Sequence, residues 1–326
     1  MGPMILAWPL AWLIGCTPSG TTDPETDTAD ASTDTATDTG ADRTSSALHD
    51  HILFVDPSEL GQQLAVVPSD GGTIERIPNP MPGSVLYASV GPDGRLVVSM
   101  RASDQDGGDH VVWDLPSDGS DPSVLLDAAS GATLSPDGRR LAYVDLSTNG
   151  PVELWVASAS GQGAVRVTDA PGILESAPSW SPDGQQLAYA AYDSVAEDVT
   201  VRVVDVVGGE DRRLVDRPGL ESAPAWSPDG TQIAYHSDEV RRIDLQPSGD
   251  WEIHVISVDG NDHSFVTNNT VGDQQPSWSP DGSQLAFVRR TGDGPDELVV
   301  ADVVGSSERV IATSAFVTPW STSWVH

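Results

Sequence analysis

The chain has 326 residues, with 49 Asp plus Glu against 16 Lys plus Arg, for a formal net charge of −33. Charge of that sign repels phosphate backbones and anionic head groups, so nucleic acid is excluded as a partner. The length suffices for one large or two ordinary domains, and 31 Gly with 25 Pro suit a turn-rich all-β fold better than a helical bundle. Every cation is Arg, and so large an acid excess also suits a protein kept soluble at high salt.

The first segment reads as an address. Met4 to Ile14 (MILAWPLAWLI) is too short to span a bilayer as a helix and has the length of the apolar part of a secretory signal. Cys16 is the only cysteine, so no intrachain disulfide can form. Leu13-Ile14-Gly15-Cys16 resembles the lipobox of bacterial lipoproteins, although no Lys or Arg precedes it. The resemblance implies that residues 1–15 are a removed signal peptide and that Cys16 becomes the lipid-modified first residue. Thr17, where an Asp would signal inner-membrane retention, implies an outer-membrane anchor. The expected location is therefore the cell envelope, on the periplasmic side of the outer membrane or at the cell surface. Thr17 to Ala47 carries seven acids, one Arg and no aromatic residue. Such a stretch cannot pack a core, so residues 16–47 read as a lipidated Cys followed by a disordered, self-repelling tether.

From residue 48 onward a repeat takes over. Pro-Asp-Gly recurs at Pro92, Pro136, Pro182, Pro228 and Pro280, at spacings of 44, 46, 46 and 52 residues, a period that signals a propeller or solenoid. Three copies are nearly alike around Trp180, Trp226 and Trp278, each followed by Ser-Pro-Asp-Gly and then Leu187-Ala188-Tyr189, Ile233-Ala234-Tyr235 or Leu285-Ala286-Phe287. Proline presets the second turn position, Asp bonds local amides and Gly takes positive φ, so each copy predicts a hairpin turn. Third strands follow at Val111–Trp113, Glu153–Val156, Val199–Val201, Glu252–Ile256 and Glu297–Val300. Fourth strands follow at Val124–Leu126, Val165–Val167, Arg213–Val215, Phe265–Thr267 and Val310–Ala312. Four strands per unit make a propeller blade.

His51–Val55, Gln63–Val67 and Thr73–Ile77 lack a first strand. Val317-Thr318-Pro319-Trp320-Ser321, near the other terminus, has the Pro-x-Trp-Ser pattern. A carboxy-terminal strand joining the amino-terminal blade would seal the ring. The predicted fold is all-β, a six-bladed β-propeller over residues 48–326 closed by that strand. On these motifs the region resembles the TolB-like six-bladed β-propeller repeat proteins, relatives of the propellers in prolyl oligopeptidase-like enzymes. In TolB itself a mixed α/β domain precedes the propeller, where this chain has its acidic stretch.

The candidate site comes from residues that flank the repeat. Glu175-Ser176, Glu221-Ser222 and Asp273-Gln274 come just before three successive innermost strands, where a propeller's channel opens. Loops on the same face add acids such as Asp109, Asp238 and Asp296, and the longest loop, Ser237 to Asp250, carries Arg241 and Arg242. An acidic mouth of this kind attracts a basic partner. The expected work is non-catalytic binding of an envelope protein or peptide by a monomer, with no cofactor and no metal. Two alternatives stay open: a polysaccharide lyase or hydrolase with His and acids converging at the mouth, and a calcium-stabilised scaffold. No Gly-x-Ser-x-Gly elbow, Walker loop, dinucleotide fingerprint or His-x-x-x-His pair occurs, which weakens enzymatic readings.

Overall fold

The computed structural model describes residues 50–326 except 59–60, 78–80, 82, 103–108, 118–119, 148–151, 170–172, 194–197, 216, 218, 239–250, 293, 305–306, 315–321 and 325–326. The side chains of residues 57–58, 61–62, 173–177, 193, 198, 314 and 322 also lie outside the description. Cys16 and residues 17–47 are therefore outside it.

The described chain forms six four-stranded antiparallel sheets. Blade one pairs β1 (His51–Ser58), β2 (Gly61–Pro68) and β3 (Glu75–Ile77) with β24 (Thr322–Trp324). Blade two is β4 (Ser84–Val90), β5 (Leu96–Arg101), β6 (His110–Leu115) and β7 (Ser123–Asp127). Blade three is β8 (Ala129–Leu134), β9 (Arg140–Asp145), β10 (Glu153–Ser158) and β11 (Val165–Arg166). Blade four is β12 (Ile173–Trp180), β13 (Gln186–Asp193), β14 (Asp198–Asp205) and β15 (Asp211–Arg213). Blade five is β16 (Glu221–Trp226), β17 (Gln232–Ser237), β18 (Glu252–Ser257) and β19 (His263–Phe265). Blade six is β20 (Gly272–Trp278), β21 (Gln284–Arg290), β22 (Asp296–Asp302) and β23 (Glu308–Ser314). The fold is the predicted closed six-bladed propeller.

The core is divided among the blade interfaces rather than gathered in one place. Six clusters of buried apolar side chains each join two neighbouring blades. At the seam, Ile52, Phe54, Ala65, Val67 and Trp324 of blade one meet Ala286, Val288, Leu298, Val300 and Ile311 of blade six. Second strands such as β9 and β17 are consequently buried on both faces and read as continuous apolar runs rather than as alternation.

The Pro-Asp-Gly turns behave as their chemistry predicts. Asp137 accepts from the Ser135 hydroxyl at 2.6 Å and from the Arg139 amide at 3.1 Å, and the Gly138 amide donates to Ser135 O at 2.8 Å. The same set recurs at Asp183, Asp229 and Asp281. The serine hydroxyl in each turn holds its carboxyl below the ordinary range. Gly138 has φ +67, and a Cβ there would come within 3.1 Å of Pro92 in the preceding blade's turn, so only glycine suits both the conformation and the space.

Blades are stitched in two further ways. Arg95, Arg140, Arg212 and Arg309 each donate from Nη2 to a backbone carbonyl of the next blade, at Ala159, Gly184, Val258 and Ser69, over 2.7–2.9 Å. At the axis, Trp180 Nε1 donates to Thr133 O at 3.1 Å and Trp278 Nε1 to Ala225 O at 2.9 Å. Trp226 and Trp324 are seated differently. Their backbone amides donate to Ser179 Oγ and Ser277 Oγ at 3.2 and 2.8 Å, while their buried indole nitrogens meet no acceptor among the described residues.

Two expectations shift in register. The closing strand is Thr322–Trp324, with Ile52 opposite Trp324 and Phe54 opposite Thr322; thus Trp324 fills the tryptophan seat expected for Trp320, which lies outside the described residues. The fourth strands expected at Arg213–Val215 and Phe265–Thr267 occur two residues earlier. There the chain has already turned toward the axis: Thr267 Oγ1 accepts the Ile253 amide at 2.8 Å and Val215 O accepts the Thr200 hydroxyl at 2.8 Å.

The two tryptophan seats predict a difference in stability. Trp278→Phe and Trp226→Phe remove the same ring volume, but only the first loses an indole hydrogen bond, so it should cost about 1 kcal/mol more in urea unfolding. Equal costs would show that the indole bond contributes nothing.

Candidate functional site at the loop-side mouth

Each innermost strand runs from the long-loop face toward the Pro-Asp-Gly face, so its first residues rim the axial opening. Glu221 lies opposite Ser237, Ser222 opposite His236, Asp273 opposite Arg289 and Gln274 opposite Val288. All three pairs lie inside the innermost strands rather than ahead of them: Glu175 and Ser176 pair with Ala191 and Ala190 in β12, and Glu221-Ser222 and Asp273-Gln274 fall within β16 and β20. The three pairs thus occupy equivalent positions on three adjacent blades, as expected from the repeat.

Their exposure departs from the expectation of an open acidic ring. Glu221 and Asp273 are both 0% exposed, whereas Ser222 and Gln274 are half-buried. Asp273 accepts from Arg289 Nε at 2.8 Å and Nη2 at 3.0 Å, and from Asn269 Nδ2 at 2.7 Å. Arg289 also forks onto Glu308 at 2.8 and 2.9 Å; the two carboxylates raise the guanidinium's pKa and Arg289 lowers that of Glu308. The Asn269 amide donates to Glu252 Oε1 at 2.6 Å, which ties the crossover between blades five and six to both. Asp273 is consumed in holding the rim, because a buried carboxylate survives only with such partners.

The rim is shaped by a repeated bulge. Register slips between Ser130 and Thr133, Ser222 and Ala225, and Gln274 and Ser277, and the bulged residues Gly131, Ala223 and Gln275 have φ of 60, 49 and 58. For Ala223 and Gln275 this is a strained conformation that the surrounding structure must enforce. At Gln275 the amide donates to His236 Nδ1 at 3.2 Å, and Trp251 meets the His236 ring edge-on at 4.8 Å. Burial lowers the His236 pKa to about 3, so this imidazole near Glu221 and Ser222 stays neutral and its Nδ1 is already engaged.

Beyond the rim, a tunnel of about 450 Å³ follows the axis and touches all six innermost strands. Its walls are mainly proline, tryptophan, alanine and hydroxyl groups, among them Pro178, Pro224, Pro276, Trp226, Ser179 and Ser277. Tyr87 is the titratable side chain among the lining residues, and burial raises its pKa.

The outer loops contribute unevenly. Asp109 is exposed, Asp238 buried and Asp296 half-buried; burial raises the Asp296 carboxyl against the opposing pull of Arg290, 3.1 Å away. Arg241 and Arg242 lie outside the described residues. Among the described residues no group of three or more His, Cys, Asp and Glu converges as metal ligands. Arg289, Asn269, His236 and Gln275, which build the rim, are not evident from the repeat. Only the strand register, which sets Arg289 opposite Asp273, brings them into view.

Residues 115–323 match the family model described as the TolB beta propeller domain. The Tol-Pal system protein TolB of Polaromonas sp. is 39% identical over 80 residues, covering 24% of this chain and 18% of that protein. Protein Atu1656 of Agrobacterium fabrum is 27% identical over 174 residues, covering 49% of this chain and 56% of the relative. The chain therefore spans about half the length, or less, of these curated relatives. The crystal structure of TolB from Acinetobacter baumannii superposes with a TM-score of 0.66 at 17% identity, covering 85% of this chain and 66% of that one. An oligogalacturonate lyase in complex with manganese also shares the fold, with a TM-score of 0.53 at 18% identity, covering 79% of this chain and 75% of the lyase.

The rim network predicts an asymmetry. Asp273→Asn leaves a mostly buried guanidinium without its inner partner and should cost about 3 kcal/mol in chemical unfolding. Glu308→Gln removes the outer, half-exposed carboxylate and should cost less than about 1 kcal/mol. Comparable costs would mean that Asp273 does not anchor the rim.

Proposed function

The chain belongs to the TolB beta propeller domain family, and on that premise we propose that it is a non-catalytic binding protein of the cell envelope. It takes hold of a basic protein or peptide segment at the loop-side mouth. The observation that carries this reading is the mouth itself. A rim braced by buried Asp273 through Arg289 and Asn269 presents half-exposed Ser222 and Gln274 above a tunnel walled by neutral side chains.

Division of labour follows from burial. Asp273 acts as a strut that fixes the rim, Glu221 is fully buried, and Ser222 and Gln274 meet the partner; Glu175 and Ser176 serve the same position in blade four. The insertion bearing Arg241 and Arg242 selects among partners, as long loops above one face of a repeat fold commonly do. The net charge of −33 speeds encounter with a cationic segment, and the uncharged tunnel wall receives an extended stretch. Cys16 carries the lipid that fixes the protein in the outer membrane, and residues 17–47 set its reach.

A propeller enzyme is the second reading, motivated by the fold shared with the lyase. Against it stands the state of His236, the imidazole near Glu221 and Ser222, which is buried, neutral and bonded to the Gln275 amide. General base work near neutral pH needs a group that titrates there.

Two measurements test the proposal. Ser222→Arg combined with Gln274→Arg places positive charge on the rim and should reduce crosslinked capture of envelope partners at least tenfold. Val207→Arg, in a turn on the opposite face and 82% exposed in the parent, should leave capture intact, and wild-type capture should fall with added salt. Equal loss in both variants, or loss in neither, removes the mouth as the binding surface. Separately, Cys16→Ser should abolish palmitate incorporation and move the protein from the membrane to the soluble fraction; continued membrane association would dismiss the lipid anchor.

A further inference from the structure

Blade five gathers four aromatic rings on the face it turns toward blade four. Tyr235 on β17, His254 on β18 and Phe265 on β19 are cross-strand neighbours, and His263 lies two residues before Phe265 on the same face. His254 is 1% exposed. Its ring stacks on Tyr235 at 5.2 Å and 21° and meets Phe265 at 4.6 Å. His254 Nδ1 lies 3.0 Å from His263 Nε2, so one nitrogen carries a proton and the other accepts it.

We propose that this imidazole pair is a proton-operated latch on the outermost strand of blade five. Two neutral rings, or one neutral ring and one protonated, hold β19 against β18, and a second proton releases it. With both rings protonated, N–H would face N–H across 3.0 Å. The neighbouring groups add to the repulsion. Arg217, from the crossover after β15, presses on His254 electrostatically, His236 on β17 stands by as a neutral ring over this pH range, and Tyr235 and Phe265 supply ring faces.

Burial first, then His263, Arg217 and His236, lower the His254 pKa to about 3 from its ordinary 6.5. A base with a lowered folded pKa contributes stability that is whole above its unfolded pKa and is lost as pH falls toward the folded one. A detached strand frees both rings to protonate near the ordinary value, whereas the latched pair accepts at most one proton. The opening constant should therefore rise about tenfold for each pH unit below about 6. β19 has three residues and pairs on one side only, so its release is a local event. It would uncover the edge of β18, and an unpaired edge is competent to accept another strand.

Amide hydrogen exchange on the full chain between pH 7 and 4 tests the latch, with each rate divided by its intrinsic value. β15 is the reference, being an outermost strand without histidine. In the wild type, protection of β19 should fall at least tenfold per pH unit below pH 6 relative to β15. His254→Phe keeps a ring in the box and should make the two curves parallel. A wild-type β19 curve parallel to that of β15 overturns the proposal whatever the variant does, and an equally steep fall in His254→Phe overturns it as well.

Discussion

Every blade of this molecule is a sheet with two apolar faces, and neither face can be covered from within the blade. The six clusters of buried side chains lie between blades, so each sheet depends on both neighbours, and the dependence runs around the ring without a natural end. Closure at blade one is therefore the condition on which the rest stands. It is made by a three-residue strand. Trp324 enters the seam cluster, its amide bonds Ser277 Oγ, and Arg309 clasps Ser69 O across 240 residues of sequence. Burying one such indole contributes about 2–3 kcal/mol, a large part of a typical net stability.

The exclusive use of Arg acquires a physical sense here. Nη2 of Arg95, Arg140, Arg212 and Arg309 reaches a carbonyl of the adjacent blade, and Arg95 at the same time pairs with Asp114 at 2.6 Å. A planar fork of donors makes both contacts from one side chain, which a single ammonium does less well. Since these cations are spent internally, the acid excess is left to the surface, and the mouth inherits its field from the whole chain more than from its own rim residues.

The repeat made the blades legible because turn chemistry is local. Ser-Pro-Asp-Gly specifies its hairpin wherever it occurs, and the apolar triplet that follows marks the strand. Closure was legible as a missing first strand, but its register was not. Pro319-Trp320-Ser321 imitates the inner-strand pattern, whereas pairing with Ile52 and Phe54 selects Trp324, a choice made by contacts 270 residues away in the chain. The two displaced fourth strands have a similar origin, in side chain–backbone bonds from Thr267 and Thr200 that end the ladder early. At the site, sequence placed Glu221 and Asp273 correctly along the strand but not in depth. Nothing in a run of acids announces that Arg289 and Asn269 will close over one of them.

The most direct test of closure is a chain ending at residue 321, which lacks β24 but keeps every other described strand. Protection of β1 amides against hydrogen exchange, followed together with thermal unfolding, reports whether the seam holds. In that chain β1 should lose protection and the melting midpoint should drop by several degrees, with blades one and six opening before the others. Full protection of β1 and an unchanged midpoint would contradict it, because the ring would then be sealed by something other than this strand.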